Sequence, residues 1–205
     1  MTAPGGEQSR ITYCTLMEEI KRRIDVIGQL VARKIPLPLI VASELGYLQL
    51  RMVAELIAIG CLVAHGDIGG ARSKKLRNAY SADFILKRLG DLHADFYPIP
   101  GKQELDPETG QPIAIHDIEE PYLTKEQLFE LYGECGDFLH RGTLQDLFDG
   151  IQPTPNLSRI GKWQKRIVAL LNHHQIRFSN PDYMLCVIMQ SKSDGGVSAA
   201  LFQRA

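Results

Sequence analysis

The segment from Leu39 to His65, LIVASELGYLQLRMVAELIAIGCLVAH, constrains the fold most, because it is the most apolar part of the chain. Its residues at helical spacing form one apolar stripe, and the flanking positions are largely apolar too. The stripe consists of Leu45, Leu48, Met52, Leu56, Ile59 and Val63. A helix that is hydrophobic on most sides must be surrounded by other elements. The segment therefore predicts the central helix of a bundle.

Three further helices are predicted around it from apolar spacing and capping residues. The first starts at Thr12, the second is capped by Ser81, and the third starts at Ser158. Their predicted buried residues are, in that order, Leu16, Ile20, Ile24, Ile27 and Val31; Phe84, Ile85, Leu89 and Leu92; and Ile160, Trp163, Ile167, Leu170 and Leu171. The basic stretch ARSKKLRN reads as a linker between the bundle helices.

Another helix is predicted after Thr124, because Gln127 follows three residues later in a capping-box pattern. This helix directs Leu128, Leu131, Cys135 and Phe138 inward and ends near His140. Two strand-like runs flank DPETG within residues 95–118, and the tail has strand-like runs around SNPD and SDGG. These patterns predict β-hairpins.

The fold class predicted is therefore α+β and predominantly α: a helical bundle around a central apolar helix, with a C-terminal antiparallel β-hairpin or small sheet. We expect a single domain over residues 1–205. Residues 1–10 are expected to be flexible, 12–173 mainly helical with an extended or hairpin excursion at 95–118, and 174–205 β-rich.

Composition narrows the function classes. The net charge of -1 provides no global field for steering onto nucleic acid or anionic lipid. The longest apolar run, Leu56 to Ala64, is too short to span a bilayer, so we expect no membrane contact. The four cysteines form no CxxC pair, which favours a reducing cytoplasm. Standard nucleotide, hydrolase and metalloprotease motifs do not occur, so no cofactor or metal site is predicted.

A charged stripe lies on the otherwise apolar surface of the central helix. Glu44, Arg51 and Glu55 share one helical face with Tyr47 beside them. Charges on a helix that otherwise requires burial must pair with each other or face a wet cleft. Two interpretations stay open: a ligand-binding site between helices, and a structural ion-pair network that fixes the register of the bundle.

The stretch LYGECGDFLHRG, residues 131–142, is the second candidate site. Asp137 and His140 are three residues apart, a spacing at which a carboxylate can orient an imidazole. Tyr132 is a candidate binding residue on the same helix. The alternative is an ordinary helix C-terminus, where the helix dipole favours histidine.

Clustered basic residues form a third candidate: Arg72, Lys74, Lys75 and Arg77. Such a run can contact the phosphates of RNA, or it can be a solvated linker. A homodimer is the other partner hypothesis that we consider.

The stretches ELGYLQLRMVAELIAIGCLVAH, LGDLHADFYPIP and LYGECGDFLHRG together resemble a group of uncharacterised bacterial proteins, over about residues 12–205. The segment from Tyr132 to His140 is similar to helix ends in HEPN-like proteins, which are helical bundles that include toxin and defence ribonucleases. In active members an arginine precedes the histidine on the same helix. In this sequence no arginine occurs between Tyr122 and His140, and Arg141 follows instead.

The resemblance thus implies a cytosolic, non-enzymatic interaction module of HEPN-like type, linked to mobile-element or defence biology. One alternative is a ribonuclease or phosphohydrolase, metal-independent or dependent on a divalent ion, that uses Arg51, Glu55, Asp137 and His140. Another is a small-ligand binder at the Glu44–Arg51–Glu55 stripe.

Overall fold

The structure is a computed structural model that describes residues 6–66, 68–109, 112–116, 118–140, 142, 144–151 and 154–203. It is an α+β fold, predominantly helical, with an antiparallel sheet at the C-terminal side, so the predicted fold class is confirmed. The helices are α1 Glu7–Val31, α2 Leu39–Ala64, α3 Lys74–Arg77, α4 Ala82–Leu92, α5 Lys125–Leu139, α6 Leu144–Phe148 and α7 Leu157–Leu171. The strands are β1 Ile99–Pro100, β2 Lys102–Leu105, β3 Pro112–His116, β4 His173–Arg177, β5 Tyr183–Ile188 and β6 Ser198–Gln203.

Helix α2 is the centre of the bundle, as its composition predicted, because α1, α4, α5 and α7 all pack against it. By length and composition α2 could cross a membrane, but 56% of its most apolar window is buried inside the fold, which is typical of a core helix. Gly46 allows α7 to approach closely: a Cβ atom at this position would lie 2.8 Å from Cδ1 of Ile160.

The N-terminal helix begins earlier than predicted. Residues 1–5 of the segment expected to be flexible lie outside the described residues, whereas α1 already begins at Glu7 instead of Thr12. Its buried residues are Tyr13, Met17, Ile20, Ile27 and Leu30. The apolar stripe at 16, 20, 24, 27 and 31 therefore marked the correct side of the helix only approximately.

Two other helices differ from their predictions in detail. In α4 the buried residues are Ala82, Ile85, Leu86 and Leu89, and Leu92 is 41% exposed. Helix α7 begins at Leu157, one residue before the predicted start at Ser158, and it is capped by Asn156, whose side chain accepts a hydrogen bond from the backbone N–H of Arg159. The stretch read as a linker contains a 3-10 turn at Gly69–Arg72 and the short helix α3, which buries Leu76.

Both predicted β regions form antiparallel pairs. Strands β2 and β3 make the hairpin around DPETG, and the main sheet has the order β1-β4-β5-β6. Residues Ile99 and Pro100, expected within the hairpin excursion, instead pair with β4. Strand β4 already begins at His173, one residue before the predicted boundary of the tail.

A buried histidine–tyrosine pair joins the sheet to the bundle. The hydroxyl of Tyr13 in α1 donates to Nε2 of His174 in β4, at 2.8 Å. Nδ1 of the same ring donates to the carbonyl oxygen of Leu171, also at 2.8 Å. Because Nδ1 carries a proton and Nε2 accepts a hydrogen bond, the imidazole is neutral. Burial lowers the pKa of His174 from 6.5 to about 4.

This pair predicts acid sensitivity. The unfolded chain binds a proton at His174 below pH 6.5, whereas the folded protein binds it only near pH 4. The contribution of His174 to the free energy of unfolding is therefore complete above pH 6.5. It falls by about 3 kcal/mol as the pH drops towards 4. Urea unfolding at neutral pH and near pH 4 should show this loss in the wild type.

His174→Gln is the matched comparison, because glutamine does not titrate and can still pair with Tyr13. The difference in unfolding free energy between the two pH values should be smaller in this variant by about 3 kcal/mol. An identical pH dependence in both proteins would contradict the assignment.

Candidate functional site: the polar stripe between α2 and α5

Helices α2 and α5 pack antiparallel, and their polar stripes face each other. The ring of Tyr47 stacks on Phe138 with a centroid distance of 4.3 Å. One turn further along α2, the guanidinium of Arg51 lies 4.9 Å from the ring centroid of Tyr132. Residue numbers thus rise along α2 as they fall along α5. Glu44, which precedes Tyr47 on α2, therefore lies towards the C-terminal end of α5.

Arg51, Glu55 and Tyr132 form a closed triangle. Nε of Arg51 donates to Oε1 of Glu55 at 3.3 Å, and Nη2 donates to the hydroxyl of Tyr132 at 3.3 Å. That hydroxyl donates in turn to Oε1 of Glu55 at 3.2 Å. Partial burial and the nearby Glu55 raise the pKa of Tyr132, so its phenol stays protonated. The structure brings these three predicted residues together, but their polar atoms are directed at each other.

A second cluster centres on Glu134 of α5. Its carboxylate accepts hydrogen bonds from the hydroxyl of Tyr47 at 2.8 Å, from Arg159 at 2.8 to 3.2 Å, and from the indole of Trp163 at 3.1 Å. Desolvation acts to raise the pKa of Glu134, but the bonds from Arg159, Tyr47 and Trp163 outweigh it and lower the pKa. Glu134 thus holds a negative charge that ties α2, α5 and α7 together.

This cluster was not among the predicted sites. Glu130 and Glu134 on α5 are four residues apart, and so are Arg159 and Trp163 on α7. Both glutamates bond the same arginine, Glu130 at 2.9 Å. Two such stripes of complementary polarity could have indicated a contact between helices. A single sequence does not show which face of one helix contacts which face of another.

His140 and Asp137 are exposed, and within the described parts of the chain neither side chain makes a hydrogen bond or ion pair. His140 is the C-cap of α5, and its backbone N–H bonds the carbonyl of Gly136 at 3.0 Å. Gly136 lies beside Nη1 of Arg51, so His140 follows one turn beyond the guanidinium. The side chain of Glu44 is half-buried and makes no polar contact with a described residue.

The guanidinium of Arg51 is paired with the carboxylate of Glu55 at 3.3 Å. Burial raises the pKa of the Cys135 thiol to about 12, so it is no nucleophile at neutral pH.

The structure describes the side chains of two of the four residues in the basic run. Lys74 and Lys75 are exposed, and Lys75 lies over the ring of Phe84 at 5.3 Å. The side chains of Arg72 and Arg77 lie outside the described residues. Among described residues no group of three or more His, Cys, Asp and Glu side chains is placed to hold a metal ion.

Comparison with known proteins gives no relative: no family model, no curated protein and no solved structure matches this chain.

The Glu134 cluster predicts a strong difference between two glutamates that share one arginine. Glu134→Gln leaves Arg159 without its partly buried charged partner and should lower the free energy of unfolding by about 2 kcal/mol. Glu130→Gln removes only an exposed ion pair and should cost about 0.5 kcal/mol or less. Urea unfolding can be followed by the fluorescence of Trp163, the only tryptophan. Equal losses in the two variants would refute the central role of Glu134.

Proposed function

We propose that this protein is a cytosolic, non-enzymatic interaction module that self-associates through strand β6. The observation that carries the proposal is the free edge of the main sheet. Strand β6 pairs with β5 over all six residues, from Ser198 to Gln203, without a register shift. Its other side faces no strand within the described part of the chain.

This edge lacks the usual protection against pairing. Natural edge strands are blunted by charged residues, proline, bulges or shortness. The sequence SAALFQ of β6 has no charged residue and no proline. The opposite edge differs, because β1 has only two residues and one of them is Pro100. The contrast supports pairing at β6 specifically.

A second copy of this chain is the partner that fits best. Two β6 strands related by a two-fold axis would pair antiparallel and would satisfy both free edges at once. The four-stranded sheets would then form one continuous sheet across the dimer. Phe202, which is 41% exposed in the single chain, would lose solvent contact beside the axis.

The polar stripes support a non-enzymatic role. Arg51 and Glu55 bond each other and Tyr132, and Tyr47 bonds Glu134, so these candidates act within the bundle. His140 and Asp137 remain without an orienting partner among described residues. The resemblance to HEPN-like proteins motivates the link to mobile-element or defence biology, and the four free cysteines suit a reducing cytoplasm.

Self-association is testable with a pair of matched substitutions. Ala200 is exposed in the middle of β6, and a lysine there would face its own copy across the two-fold axis. Light scattering should give a mass of twice 22.9 kDa for the wild type and 22.9 kDa for Ala200→Lys. Ala94→Lys, at an exposed alanine outside the sheet, should remain dimeric. A monomeric wild type at all concentrations would rule out this proposal.

The ribonuclease or phosphohydrolase alternative has one supporting observation: Tyr132, Gly136 and His140 share a stripe of α5, with Arg51 beside it. Under our proposal, purified protein should leave RNA intact with and without EDTA, and His140→Ala and Arg51→Ala should behave as the wild type. RNA cleavage that both substitutions abolish would favour the alternative. The small-ligand alternative uses the Glu44–Arg51–Glu55 stripe of α2, where Tyr132 already bonds both Arg51 and Glu55.

A further inference from the structure

An open groove of about 1210 Å³ lies away from the α2–α5 stripe, where the end of α7 meets the main sheet. Helix α7 contributes Gln164 and Lys165, its C-cap contributes Asn172, and residues 101–103 and 118–120 line the groove as well. Its floor includes His173 at the start of β4 and Ile188 at the end of β5. None of the residues considered above for catalysis or binding lines this groove.

One of the residues that line this groove, His173, carries a buried acceptor without a described partner. Its Nδ1 lies 2.9 Å from the carbonyl oxygen of Gly101, so Nδ1 holds the proton and donates it. In the neutral ring, Nε2 then has a free lone pair. The side chain is 8% exposed, and Nε2 has no hydrogen-bond partner among the described residues. Burying such an acceptor without a donor is costly, which is why buried polar groups are normally paired.

The contact with Gly101 keeps the proton of the His173 ring on Nδ1. The backbone N–H of Gly101 donates to the carbonyl of His173 at 2.9 Å, so the two residues bond each other twice. Gly101 is also tightly packed, since a Cβ atom there would lie 2.7 Å from Cγ2 of Ile115. The imidazole therefore cannot easily turn to exchange the roles of its two nitrogens.

The groove's chemistry limits what can donate to Nε2. Lys102 and Lys165 are balanced by Glu119 and Glu120, so the lining has no net charge. The remaining polar side chains are mainly carboxamides, which both donate and accept: Gln103, Gln164, Asn172 and Gln190. Hydroxyl groups match this lining because each can donate and accept in turn. An anionic oxygen does not match, because it has no proton to give to Nε2.

We propose that this groove binds a neutral polyhydroxylated molecule, of the size of a short oligosaccharide, with one hydroxyl donating to Nε2 of His173. An open groove of about 1210 Å³ has room for several sugar units. Nε2 is itself buried, so the hydroxyl reaches it only when a lining side chain moves aside.

The test uses full-length protein labelled with ¹⁵N at histidine, titrated with maltotriose, cellotriose and xylotriose at millimolar concentration. Binding is measured by calorimetry, and the Nε2 resonance of His173 reports the new hydrogen bond. At least one saccharide should bind and shift that resonance, whereas inorganic phosphate should do neither. His173→Asn, whose amide can still donate to Gly101, should weaken binding about tenfold, as loss of one hydrogen bond does.

His93→Asn is the control, because it makes the same substitution at a histidine outside the groove and should not change the affinity. Three results would overturn the proposal: no saccharide shifts the resonance, phosphate alone binds, or His173→Asn binds as tightly as the wild type. The monomeric variant Ala200→Lys should still bind the saccharide, so failure of the dimer proposal and failure of this one are separable.

Discussion

The carboxylate of Glu134 is the interaction on which the arrangement of the bundle depends. It accepts hydrogen bonds from Tyr47 of α2 and from Arg159 and Trp163 of α7, while it belongs to α5. A partly buried charge tolerates no loss of partners, so each of these bonds restricts how the helices can slide. A shift of one helix along another would break at least one of the three bonds.

This constraint explains why the most apolar helix of the chain carries a polar stripe. Tyr47 and Arg51 extend from α2 to the polar groups of α5, and Glu55 completes the triangle with Tyr132. A catalytic site needs groups that are held in place and still have polar atoms free for a substrate. Here the held groups bond each other. The exposed groups, Asp137 and His140, are not held by any described side chain.

Patterns that depend on neighbours in sequence were predictable. The capping box of Thr124 and Gln127 forms with both of its bonds, and the continuous hydrophobicity of residues 39–65 correctly placed α2 in the centre. Local choices between similar signals were less certain: Asn156 caps α7 although Ser158 is also a good capping residue.

Contacts between distant residues were not predictable from one sequence. The bond between Arg159 and Glu134 joins residues 25 positions apart, and the bond between His173 and Gly101 joins residues 72 positions apart. His173 and His174 look equivalent as neighbours in the sequence. Only the fold gives His174 two partners and leaves one nitrogen of His173 without any among the described residues.

The two proposed surfaces belong to one sheet but do not compete for space. His173 pairs with Ile188, and Ile188 pairs with Ser198, so a single cross-strand row leads from the groove to the dimer edge. The two ends of this row are separated by two strand spacings, about 10 Å, which leaves the groove open when β6 strands pair. Any effect of the ligand on dimerisation must be matched by an equal effect of dimerisation on ligand affinity. Comparing saccharide affinity in the wild type and in Ala200→Lys therefore measures the coupling free energy between the two proposed surfaces.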